Sequence, residues 1–348
     1  MNRSPSLNLL LAGYCSLLVV AACSSADRPT APRIGPEFAI SHGVGGLSAE
    51  ATVTGACNCW TTKASMPTAR VNPGVGVLHG ALYAAGGATS DVSVVATLEA
   101  YDPSADTWTT KAPMGTARLG LGVALIHGML YAVGGTNSDV TVFFSTLEAY
   151  DASTDTWTTK AAMPTARFGL GVAAINGILY AVGGANISLF GPGVATVEAY
   201  DPITNTWTPK ASMPTARQSL GVAVVNGILY AVGGADGNNI LATVEAYDPA
   251  TDTWTTKTAM PTARRAVGVA AIDGMVYAVG GLTVNDILAT VEAYDPATDT
   301  WTTKTAMPTA RLAPGVAAIH GMLYAVGGFR FGPNFSRDWL ATVEAYRP

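Results

Sequence analysis

Histidine and cysteine are scarce in this chain, four of each among 348 residues. That leaves little material for zinc sites, which need His/Cys clusters at fixed spacing, or for a nucleophile paired with a histidine base. Charge is scarce too. Asp, Glu, Lys and Arg together make up 12 % of residues, the formal balance is −5, and there is no basic run. Such a chain lacks the electrostatic footprint of a nucleic-acid binder. Apolar residues, at 49 %, and 38 glycines are what it has in quantity. A composition this apolar excludes disorder over most of the length.

The first apolar stretch runs from Leu7 to Ala22, carries no charge and follows one cation, Arg3. It falls short of the roughly 20 residues that span a bilayer and has the flanks of a signal peptide. Its end, Val20-Ala21-Ala22-Cys23-Ser24-Ser25, resembles the lipobox of bacterial lipoproteins. The resemblance implies a diacylglycerol on the Cys23 thiol, cleavage just before it, and a chain held in the cell envelope at the outer membrane or periplasmic side. Simple cleavage after an Ala-x-Ala-like site, with Cys23 incidental, is the alternative. Residues 1–22 are therefore expected to be a signal peptide and 23–55 a tether and irregular leader, extended by Pro29, Pro32 and Pro36. Within the leader, Gly45-Gly46 and Ala51-Thr52-Val53 look like an eroded copy of the repeat that fills residues 56–348.

That repeat is the dominant signal. Ala242–Arg264 recurs unchanged at Ala289–Arg311, and tryptophans stand at 60, 108, 157, 207, 254 and 301. A period near 48 residues is that of a four-stranded propeller blade. In the third copy, Val172–Ile175 and Ile178–Val182 are apolar runs joined by Asn176-Gly177, a pair suited to a two-residue hairpin turn. Thr196–Tyr200 then alternates, and Asp201-Pro202 opens a turn before Thr206–Thr208. Short strands separated by turn residues indicate an all-β chain.

The recurring Gly-Gly pair, with a Tyr and then a Trp seven residues later (Tyr101/Trp108, Tyr150/Trp157, Tyr200/Trp207, Tyr247/Trp254, Tyr294/Trp301), resembles the kelch repeat over residues 60–348. The resemblance implies a β-propeller with aromatics packed between blades. The array begins at a Trp-bearing fourth strand, Trp60–Lys63, and stops after a third strand, Thr342–Tyr346. Joining the two completes a sixth blade and shuts the ring, which removes open sheet edges. A seventh, partial blade built from residues 37–55 is the alternative.

In such a ring one face carries short, uniform turns: His79-Gly80, His127-Gly128, Asn176-Gly177, Asn226-Gly227, Asp273-Gly274 and His320-Gly321, with Asp-Pro-x-Thr-Asp-Thr turns in which Asp caps backbone amides. The other face carries loops of variable length after each Gly-Gly pair. Phe143, Phe144, Phe190, Phe331 and Trp339 lie there and are candidate ligand contacts; the alternative is that they fold back as lids on their own blades. Six arginines, Arg70, Arg118, Arg167, Arg217, Arg264 and Arg311, precede the innermost strands. They are candidates for a ring that binds a carboxylate or phosphate, as arginines near this strand start do in kelch proteins that bind acidic peptides. Each copy also supplies one glutamate, Glu99, Glu148, Glu198, Glu245, Glu292 or Glu344, so a structural ion pair in every blade is the other reading.

No histidine falls beside a Ser or Cys nucleophile, and the loop carboxylates Asp91, Asp139, Asp236, Asp286 and Asp338 are scattered singly. The kelch resemblance brings in a copper oxidase, for which the histidines are lacking, and a six-bladed sialic-acid epimerase. The expectation is a monomeric, non-catalytic binding or scaffold propeller with a protein or glycan ligand, no cofactor and no metal. An envelope sugar epimerase or lyase and a purely structural envelope protein are the alternatives. Cys57 and Cys59, one residue apart, are left as a strained pair, two free thiols or a link to another chain.

Overall fold

The structure, a computed structural model, describes residues 57–348 apart from 92, 189–190 and 334–335. The expected signal peptide, Cys23 and the 23–55 leader lie outside the described residues. Every element described is a β-strand. Six four-stranded antiparallel sheets form six blades. In blade 1 the strands, from innermost to outermost, are Gly74–Leu78, Ala81–Ala85, Leu98–Asp102 and Thr107–Lys111.

The first two strands pair through a left-handed turn, as at Asn176 (φ 49°) and Gly177 (φ 80°), which matches the twist of the hairpin. Pairing of the outer two strands explains the seven-residue spacing of the aromatics. Tyr200 faces Trp207 directly in the ladder, and the two rings lie 5.2 Å apart. The tyrosines of this position are fully buried.

Blade 6 draws its inner strands, Gly315–Ile319, Met322–Val326 and Val343–Arg347, from the far end of the chain. Its outermost strand, Cys59–Lys63, comes from the near end, with Trp60 opposite Tyr346 and Thr62 opposite Glu344. The ring closes as the sequence suggests.

Neighbouring blades mesh tightly. A methyl group added to Gly221 would lie 2.2 Å from a Val269 methyl of the next blade, and one on Gly315 would lie 2.0 Å from Val75. Each innermost strand thus offers a glycine notch to its neighbour's valine, all the way round. The Gly-Gly pair has the same origin. A Cβ on Gly183 would meet the Arg217 carbonyl at 2.6 Å, while the Gly184 N–H donates to that carbonyl at 3.0 Å.

The blades are also stitched at their outer edges. The side chain of Asp252 accepts the Tyr247 hydroxyl at 2.7 Å and the Ala211 N–H of the preceding blade at 2.9 Å. The Trp254 indole donates to the Ala211 carbonyl at 2.8 Å. Asp106, Asp155, Asn205 and Asp299 repeat the arrangement.

Candidate ligand-binding face

Residues 72, 120, 169, 219, 266 and 313 open the segments that lead into the six innermost strands. All have left-handed backbones, with φ between 49° and 63°. Each N–H donates to the carbonyl of the preceding blade's counterpart, from Gly120 to Asn72 and on round to Asn72 donating to Ala313. This closed girdle of main-chain bonds lies at the loop-bearing end of the axis. It borders a cavity of about 140 Å³ lined by Pro73, Leu121, Phe168, Leu170, Leu220 and Pro314 among others.

The expected arginine ring does not open onto this mouth. All six guanidinium side chains are 0 % exposed. Arg70, Arg118, Arg167, Arg217, Arg264 and Arg311 turn into their own blades instead and pair with Glu99, Glu148, Glu198, Glu245, Glu292 and Glu344 at 2.6–2.8 Å. Arg70 also donates to the carbonyls of Ala84, Gly86 and Thr97, and Glu99 accepts from the Thr68 hydroxyl at 2.7 Å. Burial pushes the Arg118 guanidinium down to about 10, against the opposing pull of Glu148; it stays charged at neutral pH. As a ligand-binding set these residues are corrected: their guanidinium groups are buried inside the blades, because the side chain that leaves the segment before the innermost strand reaches the third strand of the same blade.

The loop aromatics divide. Phe143, from blade 2, packs on the buried Phe168, which enters blade 3, with ring centroids 5.6 Å apart. It bridges two blades and is no lid on its own. Phe144 is half-buried and its backbone is pinned to Gly135. Phe190 lies outside the described residues. Blade 6 has an extra hairpin, Phe329–Phe331 paired with Arg337–Trp339. Its Phe329 is fully buried, and Phe331 and Trp339 meet that ring edge-on at 5.1 and 5.2 Å. The half-buried Trp339 has an indole N–H with no acceptor among the described residues.

Below the hairpin a crescent of apolar side chains crosses blades 5, 6, 1 and 2: Leu282, Leu312, Phe329, Ala88 and Leu119 in the core, with Val71, Val94, Val140 and Ile287 packed against it. The sequence reading overlooked the position after each arginine, which carries Val71, Leu119, Phe168 and Leu312 at the entry to blades 1, 2, 3 and 6 but Gln218 and Arg265 at the entry to blades 4 and 5. The doubled Arg264-Arg265 was the available signal. Elsewhere the blades repeat; at this position blades 4 and 5 differ from the other four.

The loop carboxylates do not converge. Asp91 is bound by Thr89 and Ser93, Asp236 by Asn238 and Asn239, and Asp338 by Ser336 and Arg330. His79, His127 and His320 are exposed turn residues on the opposite face. Among the described residues no group of three or more His, Cys, Asp or Glu is arranged to hold a metal ion.

Known proteins share the repeat and the fold. The Kelch motif model matches residues 69–115, 117–164 and 166–214, and the KLHDC2/KLHL20/DRC7 Kelch-repeats domain model matches 194–328. The solved structure of YjhT is similar with a TM-score of 0.68 and 15 % identity, over 78 % of this chain and 94 % of that one; at that identity the likeness concerns the fold. No curated protein matches.

Proposed function

Because the chain belongs to the kelch-repeat family, we propose that it is a non-catalytic binding or scaffold propeller of the bacterial cell envelope, recognising a protein or glycan through its loop face. The observation that carries the reading is the asymmetry of that face. Half-buried Phe143 on blade 2 and Phe331 and Trp339 on blade 6 stand over apolar neighbours, whereas blades 4 and 5 enter with Gln218 and Arg265, and the opposite face repeats the same turns. Aromatic side chains on loops over a rigid ring supply contact area at low entropic cost. Recognition falls to Phe143, Phe331 and Trp339 rather than to the arginines.

The test is a ligand pull-down on the chain from Ser24 onward, with glycan-array binding in parallel. Phe331→Ala and Trp339→Ala should each weaken capture about tenfold or more, as truncated interface anchors do, and leave the unfolding midpoint within a few degrees. Undiminished capture would sink the reading, and turnover of sialic or uronic sugars would replace it with an enzymatic one. The anchor at Cys23 is a separate element of the proposal. Palmitate should label the full-length wild type and not Cys23→Ser.

A further inference from the structure

Cys57 and Cys59 form a disulfide, with Cα atoms 5.1 Å apart, and nothing in ligand recognition uses it. Its place in the ring is informative by comparison with the five uninterrupted blades. There the turn between third and fourth strands holds Asp106, Asp155, Asn205, Asp252 or Asp299 at φ 52° to 55°. From that left-handed position each side chain accepts the hydroxyl of Tyr101, Tyr150, Tyr200, Tyr247 or Tyr294 at 2.6–2.8 Å.

Blade 6 has no such turn, since its third strand, Val343–Arg347, follows its fourth, Cys59–Lys63, in sequence. Asn58 nevertheless stands at the equivalent place with φ 45° and accepts the Tyr346 hydroxyl. The residues on both sides of it are the bonded cysteines. The Trp60 indole completes the junction by donating to the Thr305 carbonyl at 2.9 Å.

We propose that the Cys57–Cys59 disulfide is a redox-sensitive latch on ring closure: a three-residue covalent loop that replaces the missing turn and holds Asn58 in the left-handed conformation its tyrosine partner requires. Left-handed backbone is unfavourable for residues with a side chain, Asn least so, and the disulfide removes the alternatives. Reduction by a dithiol breaks the one S–S bond. Two electrons and two protons leave the dithiol, which becomes a cyclic disulfide, and both cysteines become thiols. Cys57 is exposed and Cys59 partly so, so a small reductant has access. Cys59–Lys63 then keeps its ladder to Val343–Arg347 but loses the anchor at its leading end, while the other turns are unaffected.

Hydrogen exchange on the whole protein, oxidised and then reduced with dithiothreitol, tests this, with thiol titration confirming complete reduction. Amides of residues 59–63 and 343–347 should exchange about tenfold faster after reduction, with residues 197–201 and 206–210 of blade 3 unchanged. A Cys57→Ser/Cys59→Ser variant should show the faster rates under all conditions. In Tyr346→Phe the difference between oxidised and reduced protein should shrink, because the latch acts through that hydroxyl. Unchanged exchange at 59–63 after full reduction, equal acceleration in every blade, or a full-sized difference in Tyr346→Phe would each overturn the proposal.

Discussion

A guanidinium taken out of water costs more than a single carboxylate returns, unless its remaining N–H groups are also satisfied. Arg167 meets that condition with Glu198 and the carbonyls of Thr165, Ala181, Gly183 and Thr196, while Arg70, Arg118 and Arg217 leave the Nε without a partner among the described residues. Removing one partner leaves a buried charge uncompensated, so Arg217→Ala should lower stability by about 3–5 kcal/mol in urea denaturation. Replacing the pair together, Arg217→Met with Glu245→Leu, should recover most of that loss. The equal counts of arginine and glutamate were legible in the sequence. The direction in which the side chains turn was not, because it depends on the register between two strands of one blade. The tyrosines give a second residue-scale expectation. Burial pushes the Tyr200 and Tyr346 hydroxyls up to about 12 from an ordinary 10.0. Their folded values exceed the unfolded one, so their contribution is whole below pH 10 and is lost as the pH climbs towards 12. Urea midpoints should fall over that window, and tyrosinate absorbance should lag behind that of unfolded chain.

Among the elements, the turn between third and fourth strands does more than reverse the chain. Its second acidic position receives a tyrosine hydroxyl from its own blade and a main-chain N–H from the blade before. Asn205 does the same work as the aspartates, accepting Tyr200 at 2.8 Å and Ala161 at 2.9 Å. Asp252→Asn should therefore leave thermal stability within about 0.5 kcal/mol of wild type. Asp252→Ala, which removes the acceptor, should cost about 1–3 kcal/mol. The hairpins, their turns and the Tyr–Trp pairing were readable because each obeys a local spacing rule that recurs. The Phe329–Trp339 hairpin was not, since it occurs once and breaks the period. The Cys57–Cys59 link stayed open in the sequence for the related reason that its partner elements are far apart in the chain.

At the scale of the molecule, closure rests on strands from opposite ends meeting in blade 6. Deleting residues 343–348 strips Cys59–Lys63 of its partner and leaves Met322–Val326 with a bare edge. Unpaired edges invite association, so size-exclusion chromatography should show the truncated protein as aggregate and not as a compact monomer. The six-blade count was plain from the tryptophans, whereas the asymmetry of the loop face, although it falls at the repeating position after each arginine, needed three dimensions to show which of those residues pack together across blades.

The glycine notches carry a consequence for how such a chain can change over generations. A gene holding two stretches that encode identical residues is prone to slip, gaining or losing a whole unit at once. Yet the last notch, Gly315, must receive the first valine, Val75. Five wedges would leave a gap and seven would overlap, so copy number is counted by geometry even where the coding sequence is free to stutter.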